Sequence, residues 1–302
     1  MASTEAICAR LCLLAHESGK KDIPALLSRA TVRRMVRLGA IEGLTLRSVP
    51  GVKEEHYERA RALLSRSAHV YAKLERYREQ GYDVLLPEDD LWPVNLQALG
   101  MMAPQFLFVR GRTELFSHRA VAVAGSREIT EETFALARRC GQQIANAGMT
   151  LVCGGAWGVD TAAQRGALDE GGNLILVPAF PARELLRQKY LLDALNDGRM
   201  LIACDTWPDA CFSAQKALTR NHTIYALGDA ALVVASRNGH GGSWRGATDC
   251  LHGGYTPVFA MQGEDEDMAG NRALIEMGAK PFDSAGSLST QLFGGQEEAH
   301  AD

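Results

Sequence analysis

Apolar side chains recur at helical spacing through the first 80 residues of the chain. Residues three and four apart lie on one face of an α-helix, so such a repeat predicts amphipathic helices. Two short repeats precede the dipeptide Pro50-Gly51, and a longer one runs from Tyr57 to Leu74, with Gly81 as the predicted helix stop. The pattern therefore predicts a small helical module over residues 1–80.

Prolines and short extended stretches mark residues 81–118. Within them, Phe106–Val109 is an apolar run followed by the turn Arg110-Gly111, a combination typical of a strand. We expect this segment to be a connector that packs on the domain after it.

The pattern changes at Arg119, where continuous apolar runs begin to alternate with helical repeats. Apolar runs without polar alternation are typical of strands buried on both faces of a parallel sheet. Six such strands are predicted, at Ala120–Ala124, Thr150–Cys153, Leu174–Val177, Met200–Ala203, Ala231–Ala235 and Pro257–Met261. The sequence thus predicts an α/β fold with a doubly wound, mostly parallel, Rossmann-like sheet over residues 119–283. A flexible acidic tail is expected at residues 284–302.

Composition narrows the class of protein without deciding its function. Of 302 residues, 46% are hydrophobic and 23% are charged, which is ordinary for a soluble globular protein. The net charge of −4 hides an asymmetry, because residues 1–80 carry 15 Lys and Arg against 9 Asp and Glu, whereas residues 263–302 carry 2 against 9. An excess of basic residues in residues 1–80 suits a phosphate-bearing partner, although the solvated surface of ordinary helices would show the same excess.

Cysteine usage and the apolar runs bear on location and chemistry. The seven cysteines are dispersed without a Cys-x-x-Cys pair, which indicates reduced thiols and disfavours a zinc site. The sequence has neither a basic-then-apolar leader nor an apolar run of bilayer length, so we expect a cytoplasmic protein. We find no catalytic or metal-binding set of residues, and we expect no cofactor, no metal and no enzymatic activity.

Three glycine-containing turns follow predicted strands, on the side of the sheet where doubly wound folds bind ligands. They are Gly125-Ser126-Arg127, Gly154-Gly155-Ala156-Trp157-Gly158, and Gly239-His240-Gly241-Gly242-Ser243. Glycine lets backbone N–H groups approach an anion, a helix start adds the positive end of its dipole, and Arg127 supplies a planar cation for phosphate oxygens. One such turn is as often a packing feature, but three together predict a phosphate-bearing ligand.

Two nucleotide-binding motifs are absent from these turns. The first strand is not followed by Gly-x-Gly-x-x-Gly, and no acidic residue stands about twenty residues further on at a strand end, which disfavours NAD. The sequence also lacks the Gly-Lys-Ser/Thr of P-loop nucleotidases.

The second turn carries a family resemblance. Gly154 to Leu168 reads GGAWGVDTAAQRGAL, which resembles the signature SGLARGIDAAAHRGAL of the DNA-processing protein A (DprA/Smf) family. The turn Gly125-Ser126-Arg127 precedes this stretch at the family's spacing, Arg220-Asn221 follows it, and Gly270-Asn271 is similar to a closing motif of the family. The resemblance covers residues 85–283.

The resemblance implies a protein that binds single-stranded DNA without covalent chemistry. It further implies delivery of the strand to a RecA-type recombinase during natural transformation or other DNA processing, and a homodimer. The residues that stand at the family's DNA- or phosphate-binding positions, whether or not they keep the family's residue type, are Gly125, Ser126, Arg127, Gly154, Gly155, Trp157, Gly158, Asp160, Arg220, Asn221, Gly242 and Ser243.

Different roles are expected within this set. Arg127 and Arg220 would contact phosphates, while the glycine backbones and the serine hydroxyls would cradle them. Asp160 is expected to fix its turn by accepting backbone N–H groups. Asn221 would either hold a loop or contact DNA.

The chain departs from the family's pattern at several of its motif positions. Cys153 replaces a serine, Trp157 an arginine, Gln164 a histidine and His222 a second arginine, and Ala217 stands where the family has an aromatic residue. Phosphate contacts depend on charge, so the missing arginines predict weaker or differently targeted DNA binding. Trp157 could instead stack on a base or simply pack. We also expect the family's C-terminal winged-helix module to be absent.

Two other classes of function stay open at this point. Rossmann-like relatives include sensors and hydrolases of nucleotide derivatives, some in phage defence, and Trp157 with His222 would suit a mononucleotide. The three glycine turns could also have lost their ligand in a protein that serves as an interaction subunit. In the helical module at residues 1–80, called the front module below, Ser48–Val52 resembles the phosphate-binding hairpin of a helix-hairpin-helix, but a plain or SAM-like helix–turn–helix with a Pro-Gly turn is the favoured interpretation.

Overall fold

The computed structural model describes residues 2–15 and 23–294. Its helices are α1 (Thr4–Leu14), α2 (Arg29–Arg37), α3 (Glu54–Leu64), α4 (Ser67–Glu79), α5 (Glu131–Asn146), α6 (Val159–Asp169), α7 (Lys189–Asn196), α8 (Ala214–Leu227), α9 (Gly241–Gly253), α10 (Ala269–Glu276) and α11 (Leu288–Phe293). Its strands are β1 (Ile41–Glu42), β2 (Thr45–Leu46), β3 (Asp83–Leu85), β4 (Leu107–Gly111), β5 (Ala120–Gly125), β6 (Thr150–Cys153), β7 (Asn173–Leu176), β8 (Met200–Cys204), β9 (Ala230–Ala235), β10 (Val258–Met261) and β11 (Lys280–Phe282). Short 3₁₀ segments occupy Val94–Met102, Thr113–Ser117, Ala182–Arg187 and Glu266–Met268.

Nine strands form one sheet in the order β11-β10-β9-β5-β6-β7-β8-β4-β3. The seven strands from β11 to β8 pair in parallel, and only β3 and β4 run antiparallel to their neighbours. From the central strand β5 the chain winds outward first through β6, β7 and β8, and then on the other side through β9, β10 and β11. This topology confirms the predicted doubly wound, mostly parallel α/β fold.

Both faces of the sheet are buried, which explains the continuous apolar runs. Alternate residues of a strand point to opposite faces, so Val121 and Val123 enter one core while Ala120 and Ala122 enter the other. Helices α5, α6 and α7 and the front module cover the first face, and α8, α9 and α10 cover the second. Among the described residues, no helix is long and apolar enough to cross a membrane.

The predicted connector at residues 81–118 is part of the sheet rather than a segment packed upon it. β4 pairs antiparallel with β8, opposing Phe108 to Cys204 and Val109 to Ala203, and β3 adds the edge strand. The run Leu107–Val109 is buried, because it extends the same two-sided core. The sheet therefore begins well before the expected domain start at residue 119.

The front module is helical, as predicted, but its long helix is divided. One helix was expected from Tyr57 to Leu74, whereas α3 ends at Leu64 and α4 begins at Ser67. The Ser65 N–H still binds the Arg61 carbonyl, and its hydroxyl donates to the Ala62 carbonyl, so the helix closes there. The turn lets α3 and α4 both pack against α1.

The expected flexible tail begins with an ordered helix. Ser287 caps α11 by accepting the Thr290 N–H, and Gly294 ends it in the left-handed conformation. Leu288 and Leu292 lie four residues apart and are both buried against the core beside α5. The expectation of flexibility was therefore wrong for this helix, and residues 295–302 lie outside the described part of the chain.

Candidate phosphate-binding cleft

The three glycine turns meet in one cleft at the carboxyl edge of the sheet. The turns follow β5, β6 and β9, which are neighbours in the order β9-β5-β6. Winding reverses between β5 and β9, and the turns after such strands diverge and leave a crevice. The crevice has a volume of about 790 Å³, and helix α8 forms part of its wall.

Hydrogen bonds between the turns fix their relative positions. The Val159 N–H donates to the Ser126 carbonyl at 3.1 Å, which joins the first turn to the second. The Ser243 hydroxyl donates to the Gly125 carbonyl at 2.5 Å, which joins the third turn to the first. Asn221 donates from Nδ2 to the Gly242 carbonyl at 3.0 Å and so ties α8 to α9. These three hydrogen bonds hold the walls of the cleft in place.

Gly158 allows the first two turns to come this close. Its backbone has φ 81° and ψ −125°, a conformation available in practice to glycine alone. A Cβ at this position would lie 2.4 Å from the Ser126 carbonyl oxygen and 2.6 Å from that of Arg127. The contact between turns thus depends on the missing side chain.

Asp160 and Arg220 are both buried beside the second turn, where their opposite charges attract each other. Asp160 Oδ2 accepts the N–H groups of Gly154 and Ala156 at 3.0 and 3.2 Å. Burial raises the pKa of the Asp160 carboxyl, while the Arg220 charge and the two N–H groups act in the opposite direction. Burial likewise lowers the pKa of the Arg220 guanidinium, against the attraction of Asp160 and Asp205.

Arg220 lines the cleft but is largely turned inward. Only 5% of it is exposed, and its Nη1 donates to the carbonyls of Gly154 and Val177. This arrangement gives Arg220 a structural role that the sequence did not indicate. Direct contact between Arg220 and a phosphate stays a prediction.

Arg127 is the exposed cation of the first turn. Its guanidinium lies 5.3 Å from the centre of the Phe212 ring, which is itself 50% exposed, and both residues line the cleft. No acidic residue in the described ranges forms an ion pair with Arg127. The neighbouring Ser126 hydroxyl donates to the Glu128 carbonyl at 2.9 Å and shapes the turn.

Two arginines of the cleft were missed from sequence. Arg237 follows β9 two residues after its end, and Arg245 lies one helical turn into α9; both line the cleft. Arg237 pairs with Glu128 at 2.8 Å, whereas no ion pair of Arg245 is found within the described part of the chain. Arg237 could have been found as a strand-end cation, but the position of Arg245 depends on where α9 begins.

The other departures from the family's pattern have separate surroundings. Trp157, at the tip of the second turn, is 72% exposed. His222 pairs with Asp249 of α9 at 3.1 Å. Cys153 is fully buried, accepts a hydrogen bond from Gln164 and has its pKa raised by burial, so it packs beneath the turn. The described residues contain no group of His, Cys, Asp or Glu that could hold a metal ion.

The family model for DNA recombination-mediator protein A matches residues 83–293. The chain belongs to this family. The match begins at β3 and ends in α11, so the DNA recombination-mediator protein A region includes the whole nine-stranded sheet and the helix that follows it. Membership confirms the resemblance drawn from the glycine turns.

Relatives of known name agree with this family. A DNA processing protein DprA of Streptococcus pneumoniae is 36% identical over 110 residues, covering 36% of each chain. A relative from Mycobacterium tuberculosis, whose name also assigns it to the DprA proteins, is 30% identical over 175 residues, covering 53% of this chain and 45% of its own. The chain thus spans less than half the length of these curated relatives.

Solved structures of DNA processing protein A share the fold. The Streptococcus pneumoniae protein superposes with a TM-score of 0.68 at 22% identity, covering 93% of this chain and 95% of its own. The Helicobacter pylori protein, whose structure was described for its single-stranded DNA binding mode, has a TM-score of 0.56 at 24% identity and covers 66% and 90%. The likeness to the first extends over almost the whole chain.

Proposed function

We propose that this member of the DNA recombination-mediator protein A family binds the phosphate backbone of single-stranded DNA in the cleft between the three glycine turns. The observation that carries the proposal is the charge of the cleft wall. Four arginines and two carboxylates line it; Glu128 pairs with Arg237, and Asp160 is opposed by Arg220. Arg127 and Arg245 remain as cations that can neutralise phosphates.

The backbone of α9 supports the same ligand. The helix begins at Gly241 on the cleft, and its N-cap His240 makes no side-chain capping hydrogen bond. First-turn N–H groups and the positive end of the helix dipole favour an anion there. The cleft volume of about 790 Å³ is far larger than one phosphate needs and suits a nucleotide-sized segment.

The test is a salt titration with Arg127→Ala. Labelled oligo-dT is titrated by fluorescence anisotropy over a range of salt concentrations, with Arg59→Ala as the control because Arg59 is exposed on α3. Loss of one phosphate contact should weaken binding by Arg127→Ala and reduce the slope of log K against log salt by about 0.7. Arg59→Ala should match wild type.

Two results would overturn the proposal. If the wild-type protein fails to bind oligo-dT at low salt but binds ATP or ADP-ribose, the cleft serves a nucleotide derivative instead. If Arg127→Ala leaves both affinity and salt slope unchanged, the strand binds elsewhere.

We extend the proposal to partners and location on the basis of family membership. A RecA-type recombinase would receive the strand, and the chain would act as a homodimer, with no covalent step of its own. None of the described cysteines forms a disulfide, and six of the seven are buried, which suits a reducing, cytoplasmic location. Light scattering of the purified protein alone tests for the homodimer, and light scattering with recombinase and oligo-dT tests for the recombinase complex.

A further inference from the structure

A second cavity lies between the front module and the sheet. It has a volume of about 240 Å³ and lies between α4 and the segments that follow β7 and β8. Four cationic side chains line it, namely Lys73, Arg76, Arg110 and Arg183. Lys73 and Arg76 belong to α4, so the basic front of the chain supplies half of this charge.

One carboxylate faces these cations and is already engaged. Asp209 lies 3.4 Å from the Lys73 ammonium, and burial together with the Asp209 carboxylate raises the pKa of the Tyr77 hydroxyl. No further carboxylate of the described residues lines the cavity. Cationic side chains around one cavity repel one another, and an anion bound between them would relieve that repulsion.

Of the three arginines that line the cavity, Arg76 and Arg110 have no ion pair among the described residues, and Arg183 shares the Glu184 carboxylate with Arg187. Arg110 lies over the Tyr82 ring at 5.5 Å, which orients its guanidinium without neutralising it. Arg183 is 74% exposed and only 3.6 Å from Glu184 of its own segment. Arg76 is exposed and has no ion pair within residues 2–15 and 23–294.

The cavity adjoins the glycine-turn cleft through one segment. Arg183 belongs to Ala182–Arg187, the 3₁₀ turn after β7. Leu185 of that turn lies beneath the second glycine turn, where a Cβ on Gly155 would be 2.6 Å from its Cδ2. The Ala182 N–H donates to the Pro208 carbonyl, which lines the cavity. The Ala182–Arg187 segment thus contacts the second glycine turn through Leu185 and lines the cavity with Arg183 and Leu186.

We propose that the cavity between α4 and the Ala182–Arg187 turn is a second phosphate-binding site. Arg76, Arg110 and Arg183 bind the phosphate, and Lys73 with Asp209 forms the wall. Its phosphate comes either from the DNA strand as it leaves the cleft or from a free nucleotide. The first source rests on the proposed function, whereas the site itself does not.

A charge-reversal double variant tests this site. Arg76→Glu/Arg183→Glu is compared with Arg59→Glu/Arg139→Glu, which makes the same charge change at exposed positions of α3 and α5 outside the cavity. Circular dichroism and urea unfolding of both variants verify that each folds as wild type does.

Three ligands separate the two sources. The first two are a long oligo-dT of about 30 nucleotides and a short one of about six, near the lower end of what one single-strand binding site covers. The third is pyrophosphate, measured by calorimetry in an Arg127→Ala background that weakens the cleft. For the cavity variant we expect the salt slope with long oligo-dT to fall by about 0.7 per phosphate lost, and that with short oligo-dT to stay unchanged.

Each result has one meaning. A lower slope with long oligo-dT in the cavity variant alone supports the site with the strand as its source. Unchanged slopes with loss of pyrophosphate binding support the site with a free nucleotide as its source. Unchanged slopes and unchanged pyrophosphate binding overturn it. If wild type binds no oligo-dT at all, the proposed function fails, and the pyrophosphate result alone decides the cavity.

Discussion

Trp157 changes the chemistry of the second glycine turn. An indole that is 72% exposed contributes little to the core, so packing does not account for it. The resembling family has an arginine at this position, which would act through charge. A tryptophan there offers a flat ring on which any base can stack. We therefore expect part of the affinity for DNA to come from stacking on this residue rather than from charge.

Replacing Trp157 should reduce DNA affinity without affecting the fold. We expect Trp157→Ala to weaken oligo-dT binding by about 1 to 3 kcal/mol, the range for one base–aromatic stack, at nearly constant salt slope. Anisotropy titrations at several salt concentrations measure both quantities. Trp157→Phe keeps a ring and should retain much of the affinity. A change in slope without a change in affinity at high salt would contradict a stacking role.

Gly158 is the residue on which the contact between the first two turns depends. Gly158→Ala forces a Cβ to 2.4 Å from the Ser126 carbonyl oxygen and requires a positive φ. Backbone strain of this type alone costs about 1 to 3 kcal/mol, and the clash adds to it. Urea unfolding should show a larger loss than in Gly148→Ala, where φ is +67° but no atom lies within 4 Å. Equal losses would show that the close approach is unimportant.

The sequence predicted the three turns but not the hydrogen bonds that join them. Glycines after apolar strands predicted where backbone would approach an anion, and the structure brings those turns together. The hydroxyl of Ser243 bonds to Gly125, 118 residues earlier in the chain, and no local pattern encodes such a pair. Arg220 was likewise assigned to phosphate by its charge, although burial directs much of its hydrogen bonding inward. Side-chain direction depends on the packed fold.

At the scale of elements, the strands were the most predictable part. Continuous apolar runs placed all six parallel strands from β5 to β10 within a residue or two, because two-sided burial leaves a strong local signal. The pairing of β4 with β8 and the break between α3 and α4 depend on distant partners. Helix α11 was missed because its two buried leucines stand in a short, polar stretch.

Helix α6 and its preceding turn act as one unit through Asp160. Asp160→Ala would leave the Gly154 and Ala156 N–H groups without their acceptor, at a cost of about 1 to 3 kcal/mol for each, and would remove one of the two carboxylates that attract the Arg220 guanidinium. Asp160→Asn keeps an acceptor and should cost less. Urea unfolding at neutral pH measures both variants. A cost for the alanine variant no larger than for the asparagine variant would contradict this role.

The same carboxyl gives a pH dependence of known sign. Burial raises its folded-state pKa above the ordinary 3.8, so the charged form is less favourable in the folded chain than in the unfolded one. Its contribution to stability therefore falls as pH rises from 3.8 to the folded-state pKa and is constant above. The free energy of unfolding of wild type should therefore fall, relative to that of Asp160→Asn, as pH rises across that interval.

At the scale of the whole molecule, the front module and the sheet share one core. The Tyr77 ring of α4 stacks on Trp207 at 5.6 Å with an interplanar angle of 28°, and its edge meets Phe108 of β4 at 5.6 Å. All three side chains are buried in the same hydrophobic cluster as Ile7 of α1. Residues 1–80 were expected to be a module of their own, but the described part of that module packs its apolar side chains against those of the sheet.

Shared burial predicts that both parts unfold together. Tyr77→Ala should destabilise the protein by about 3 to 5 kcal/mol, as for other large buried aromatics, whereas Tyr71→Ala on the exposed face of α4 should cost little. Urea unfolding is followed by far-ultraviolet circular dichroism, which reports on all helices, and by tryptophan fluorescence, in which Trp207 reports on the contact with Tyr77 and the other three tryptophans report on the rest of the molecule. Wild type should give one transition at the same urea concentration with both probes. Two separate transitions, the first with a partial loss of the helix signal, would mean that the helices of the front module unfold independently, and the proposed second phosphate site between them and the sheet could then open without loss of the glycine-turn cleft.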